Sequence, residues 1–153
     1  MILSFLSALG SGNLKDMWII YKEFSFEAAH QLPHHEGKCR RLHGHSFRGR
    51  VYVASEQLKT SGSETGMVMD FGVLKAYLNP LVKDYLDHYF LNESLGLENP
   101  TSEAIAAWIF QKLEEKGLPG LHSVEILETC TSAARYFSPK LSSLIVASPE
   151  LPS

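Results

Sequence analysis

The run Leu42-His43-Gly44-His45-Ser46-Phe47 constrains this chain more than any other stretch. On a β-strand, side chains at i and i+2 leave the same face, so the two imidazoles can meet at one point without bending the backbone. Gly44 removes a side chain from the opposite face. Val51 and Val53 continue the phase of the histidines, which predicts a strand over residues 42–54. Upstream, residues 18–30 read as one long strand rich in aromatic and β-branched side chains. There Phe24, Phe26, Ala28 and His30 share a face. Antiparallel pairing of the two strands would bring His30 beside His43 and His45.

An isolated His-x-His is more often a surface pair, and a lone histidine on an apolar face is more often a satisfied core residue. Here a third histidine ends a strand on its apolar face, and Cys39 lies in the intervening loop. Three histidines with an open fourth position form a catalytic metal site, and zinc is the default for imidazole ligands in that geometry. His34 and His35, in the loop over residues 31–41, are weaker candidates. His122 precedes a predicted strand and reads as solvated.

Cys39 stands in Lys38-Cys39-Arg40-Arg41. Flanking cations favour the thiolate, the reactive form of the side chain. The alternative is an inert loop cysteine, a description that suits Cys130 better. The same cations, with Arg48 and Arg50, could attract an anionic substrate, although those two arginines fall on the face away from the histidines. Asp87-His88 pairs an acid with an imidazole, as proton shuttling requires. Adjacent residues do not ordinarily face each other, so no direct bond between them is implied. Taken alone, the pair reads as a histidine at a helix C-terminus. Glu128 shares a face with Val124 and Ile126, while Glu125 falls on the other. A carboxylate on an apolar face either reaches solvent at the strand end or meets several donors. An amidine-like pair of N–H groups on a ligand would be one such partner.

The remaining elements complete an α+β pattern. Asp70 reads as a helix N-cap, followed by Val73, Leu74, Tyr77, Leu78, Leu81, Val82 and Tyr85 at helical spacing. Pro80 predicts a kink or restart in that run. Asn99-Pro100-Thr101-Ser102-Glu103 marks a second helix start, with Pro near N1 and an acid in the first turn, and Gly117 ends that helix. Strands follow over residues 124–130 and 133–137. The order β-β-α-α-β-β implies an antiparallel sheet with two helices on one face.

With 153 residues the chain suits one domain and one core. A net charge of -3 argues against whole-molecule attraction to nucleic acid. Two cysteines in unlike contexts fit a reducing, cytoplasmic setting rather than a disulfide scaffold. Residues 1–16 are apolar at first but lack a positive n-region and are too short to span a bilayer. They are expected to be a disordered extension or the product of a misassigned start, with the single domain over residues 17–153. Leu144-Ile145-Val146 would pack on the body or remain unassigned.

Together, Phe26-Glu27-Ala28-Ala29-His30, Cys39-Arg40-Arg41-Leu42-His43-Gly44-His45-Ser46-Phe47, Met69-Asp70-Phe71, Leu86-Asp87-His88, Glu98-Asn99-Pro100-Thr101-Ser102-Glu103 and Glu128-Thr129-Cys130-Thr131 resemble one family. It is the 6-pyruvoyltetrahydropterin synthase / 6-carboxytetrahydropterin synthase family, and the likeness is greatest to the bacterial 6-carboxytetrahydropterin synthases of queuosine biosynthesis. The loop over residues 33–39 is slightly shorter than that pattern. The resemblance implies the tunnelling (T-) fold, zinc on His30, His43 and His45, and Cys39 as catalytic base with Asp87 and His88. It also implies that Glu128 anchors a pterin ring beside Thr101, Ser102 and Glu103. Its implied substrate is 7,8-dihydroneopterin triphosphate, with 6-carboxy-5,6,7,8-tetrahydropterin, acetaldehyde and triphosphate as products. The implied assembly is a trimer or hexamer whose sheets close into a barrel, with sites at subunit interfaces, and neither a membrane nor a nucleic acid is an implied partner. The alternatives are a 6-pyruvoyltetrahydropterin synthase and a non-catalytic zinc- or pterin-binding module.

Overall fold

The computed structural model describes residues 16–137 and Pro139. The apolar segment over residues 1–15 and Leu144-Ile145-Val146 lie outside the described residues. Strands β1 (Trp18–His30), β2 (His43–Ser55), β3 (Leu121–Thr129) and β4 (Ser132–Phe137) form one antiparallel sheet in the order β1-β2-β3-β4. Helices α1 (Phe71–Leu81), α2 (Leu91–Ser94) and α3 (Ser102–Glu115) stand between β2 and β3 in the chain.

Period-2 alternation sorts the sheet into an inner and an outer face. Phe26, Phe47, Val51, Val53, Val124 and Ile126 are buried on the inner face. Leu74, Leu78 and Leu81 of α1 and Ile105, Ile109, Phe110 and Leu113 of α3 complete the core. At Gly49 a Cβ would overlap the ring of Phe24, its partner across the strands, so glycine leaves that ring its place.

α1 begins where expected, with the Asp70 carboxylate accepting from the Gly72 N–H at 2.6 Å. Pro80 sits in the last turn of α1, and a π-helical turn (Val82–Leu86) follows directly. That wider turn closes through an Asp87 N–H bond to the Val82 carbonyl at 2.8 Å. Pro80 has no N–H to give the preceding turn, so the regular bonding pattern is already interrupted there. At α3 the N-cap is Thr101, whose hydroxyl accepts from the Ala104 N–H, so Pro100 precedes the cap instead of occupying N1.

The short helix α2 was not anticipated. It buries Leu91, and the Asn92 side chain clasps the end of β1. The Asn92 Oδ1 accepts from the Gln31 N–H at 2.9 Å and its amide donates to the Gln31 carbonyl at 2.8 Å. β3 starts three residues earlier than expected, at Leu121, so His122 lies within a strand. It is half-buried, not solvated, and its ring meets Phe137 edge-on.

Candidate active site

The register of β1 and β2 ends with His30 opposite His43, and His45 is opposite Ala28. The three ring centroids lie 4.5, 4.9 and 5.2 Å apart. One nitrogen from each ring falls within 4.8 Å of the others. Phe47 closes the floor of the cluster, with edge-on contacts to His30 and His45.

Backbone carbonyls fix the tautomers. His30 Nδ1 is 2.9 Å from the Pro100 carbonyl oxygen and His43 Nδ1 is 2.7 Å from that of Arg41. A carbonyl only accepts, so both Nδ1 atoms carry the proton and both Nε2 atoms present a bare lone pair. Those two Nε2 atoms face each other at 3.0 Å. His45 Nε2 is buried without a hydrogen-bond partner, although a Glu128 carboxylate oxygen lies 3.3 Å away. Burial pushes His30 below the ordinary imidazole range, and the positive charge that His43 and His45 can carry acts in the same sense. An added proton on His30 is therefore disfavoured. A metal cation satisfies all three at once, and carbonyls holding the far nitrogens are the usual outer support of such ligands.

Glu128 stands beside this cluster on the inner face, as its phase with Val124 and Ile126 required. Its second oxygen accepts from the Ser102 hydroxyl at 3.1 Å, linking β3 to the first turn of α3. Thr101 is committed to capping α3, and Glu103 is exposed in the first turn. Only Ser102 of that trio reaches Glu128 in the described contacts.

Asp87 and His88 form a second group at the β1 edge. The His88 Nδ1 and an Asp87 carboxylate oxygen are 3.0 Å apart, a direct pairing that neighbours in regular structure would not make. His88 achieves it with a left-handed backbone, φ 65°. Both residues are tied to Glu27: its N–H donates to Asp87 Oδ1 at 3.0 Å and its carbonyl accepts from the His88 N–H at 2.6 Å. The Glu27 N–H and then the His88 ring hold the Asp87 carboxyl below the usual carboxylate range. His88 and His45 both line one cavity of about 520 Å³ together with Glu27 and Ser46. Ser46 donates its hydroxyl to the Glu27 carboxylate at 2.8 Å.

Cys39 is half-buried in a 3-10 turn (Lys38–Arg40), where its carbonyl accepts from the Leu32 N–H. Among the described residues its thiol is hydrogen-bonded to neither group. His34 pairs with Glu98 at 3.0 Å, and both are largely exposed. Arg50 lies on the outer face, bonded to Glu23 and Glu125. The carbonyls of Pro100 and Arg41, the Asn92 clasp and the Glu27 backbone escaped the sequence reading. Backbone roles carry no side-chain signature.

The model of the 6-pyruvoyl tetrahydropterin synthase family matches residues 19–139. A 6-carboxy-5,6,7,8-tetrahydropterin synthase of Synechocystis is 86% identical over 129 residues, which is 84% of this chain and all of that protein. The Haemophilus influenzae protein of that name is 33% identical, covering 78% of this chain and 99% of its own length. Among solved structures, the Caenorhabditis elegans 6-pyruvoyl tetrahydropterin synthase superposes with a TM-score of 0.67 at 31% identity, over 80% of this chain and 96% of its own.

Proposed function

The chain belongs to the 6-pyruvoyl tetrahydropterin synthase family of enzymes, and from that premise we propose that it converts 7,8-dihydroneopterin triphosphate to 6-carboxy-5,6,7,8-tetrahydropterin. Its α+β architecture is the tunnelling fold of that family. The proposed co-products are acetaldehyde and triphosphate, and the proposed place is the early part of queuosine biosynthesis. The balance closes with one water: the dihydroneopterin skeleton divides into the carboxy-pterin and acetaldehyde, and water completes the released triphosphate.

The observation that carries the reading is the pair of bare Nε2 lone pairs 3.0 Å apart beside the orphaned His45 nitrogen. His30, His43 and His45 would hold zinc, which supplies Lewis-acid polarisation of side-chain oxygens when bound. Glu128 would accept the amidine-like N–H pair of the pterin, with Ser102 orienting the carboxylate. Thr101 would set the start of α3 beneath that contact, and Glu103 would close its rim. Cys39 would take a proton from the substrate side chain as thiolate, and His88, oriented by Asp87, would move a second. The cations around Cys39 would offset triphosphate charge. Copies of the chain would assemble as a trimer or hexamer, closing the four-stranded sheets into a barrel and covering edges that one copy leaves bare. No helix among the described residues is long and apolar enough to cross a membrane.

Incubating the zinc-loaded protein with 7,8-dihydroneopterin triphosphate and identifying the products by mass spectrometry tests this. 6-Carboxytetrahydropterin with an equivalent of acetaldehyde is expected. A 6-pyruvoyl product without acetaldehyde would assign the sister activity, and bound zinc without turnover would leave only a binding module.

A further inference from the structure

The outer face of the sheet carries a file of four charges, one per strand, in register. Glu23 of β1 is opposite Arg50 of β2, Arg50 is opposite Glu125 of β3, and Glu125 is opposite Arg135 of β4. Arg50 bonds Glu23 at 2.8 Å and Glu125 at 3.3 Å, and Arg135 lies 3.7 Å from Glu125. The signs alternate across the whole sheet: minus, plus, minus, plus. The inner members are doubly matched, whereas the end members have a neighbour on one side only. Glu23 is the most open of the four side chains, 43% exposed against 31% at Arg50, 17% at Glu125 and 33% at Arg135.

The two ends lie on the two edges of the sheet. Residues 87–90 cover β1 only around residues 27–29, so the β1 edge at Glu23 is bare among the described residues. An open groove of about 560 Å³ runs beside it, lined by Ile19, Ile20, Tyr21, Lys22, Glu23 and Phe71. Ile19, Tyr21 and Phe71 are each about half exposed, and a bare strand edge flanked by exposed apolar side chains is a template for another strand. β1 and β4 run in opposite directions, because each step across the four-stranded sheet is antiparallel. The β4 edge of a second copy can therefore dock antiparallel on the β1 edge of the first.

We propose that the file is a register code between copies of this chain: Glu23 at the β1 edge of one copy pairs with Arg135 at the β4 edge of the next. The alternation then runs unbroken through the junction. A one-residue slip would remove Arg135 from the outer face at the seam, and a two-residue slip would displace it along the strand. An edge pairing with its own kind (β1 on β1) would set Glu23 against Glu23. The file thus selects head-to-tail association, the kind that can close into a ring. This deepens the assembly put forward above and rests on it.

Reversing the entire file tests the code without disturbing the pairs inside one chain. In Glu23→Lys, Arg50→Glu, Glu125→Lys, Arg135→Glu every internal pair keeps opposite signs, and so does the junction between two reversed copies. A junction between a reversed and an unaltered copy opposes like charges. The two proteins, one isotope-labelled, are unfolded, mixed in equal amounts, refolded, and resolved by native mass spectrometry. Sorting into unmixed oligomers is expected, with mixed species at least about tenfold below the statistical proportion. Statistical mixing would overturn the code while leaving the assembly intact, whereas monomers of the unaltered protein would overturn the assembly itself. If the reversed chain does not fold, Glu23→Gln and Arg135→Gln decide by sedimentation. Each alone should weaken association about two- to fivefold, and the double variant should be no weaker than the weaker single. Fully multiplicative losses would sink the pairing.

Discussion

The sheet carries two polar clusters sorted by the same alternation, one on each face. On the outer face, cations and anions alternate, and each has an opposite charge 2.8–3.7 Å away. On the inner face, three imidazoles converge with one carboxylate nearby. Two of their lone pairs point at each other, and a third ring nitrogen is buried without a partner. Every charge of the first cluster already meets an opposite charge within one sheet; the second cluster has polar atoms that nothing in the sheet meets. A polar cluster that matches itself serves architecture, while one left unmatched in a core serves a ligand, because burial makes an unmet polar atom costly.

The sharpest way to break this contrast is His43→Ala. Bound zinc should fall to background by elemental mass spectrometry, and turnover should drop more than about a hundredfold. An active, zinc-loaded variant would erase the distinction between the faces. Glu128→Gln should keep the metal yet cut turnover about ten- to a hundredfold, because the amide cannot accept a pair of N–H bonds with full charge. Loss of zinc in that variant would reassign Glu128 to the metal. Chelation should lower the melting temperature of the unaltered protein by at least about 5 °C and leave that of His43→Ala unmoved. On the matched face, Glu125→Gln should cost about 1 kcal/mol in a denaturant titration and leave turnover within about threefold. A loss of activity comparable to that of His43→Ala would mean that the outer face is part of the chemistry.

The smallest effect expected is at His122. Burial, and secondarily the charge of Arg135, lowers its pKa from the ordinary value. The folded protein therefore binds this proton less readily than the unfolded chain does. The neutral form's contribution is fully present above the unfolded value near 6.5 and is lost as pH falls through it toward the folded one. Chelator-treated His122→Phe should consequently lose less stability than the unaltered protein between neutral and mildly acidic pH. Equal acid sensitivity in the two would show that His122 does not contribute.

Much of this contrast was legible in the sequence, because period 2 assigns faces without reference to anything distant. The phases of His30, of His43 and His45, and of Glu128 against Glu125 all followed from it. What could not be read depended on backbone. The direct Asp87–His88 contact needs the left-handed φ of His88, and the tautomers of His30 and His43 need carbonyls from Pro100 and Arg41. The missing N–H of Pro80 predicts that the helical ladder is interrupted there, but not that it resumes as a π-helical turn. His122 was misjudged because strand β3 outruns its apolar run by pairing Leu121 with Val53.

The Asn92 clasp has a consequence in time as well as in space. The end of β1 that bears His30 takes its edge bonds from Tyr89 and Asn92. His30 itself leans on Pro100, so the segment over residues 89–100 and the last turn of the strand form one opening unit. Slow amide exchange at Ala29 and Gln31 would report its closed lifetime. Escape of an ion held by His30 would then be gated by that opening, so the clock for metal release would be kept by an asparagine that touches no metal.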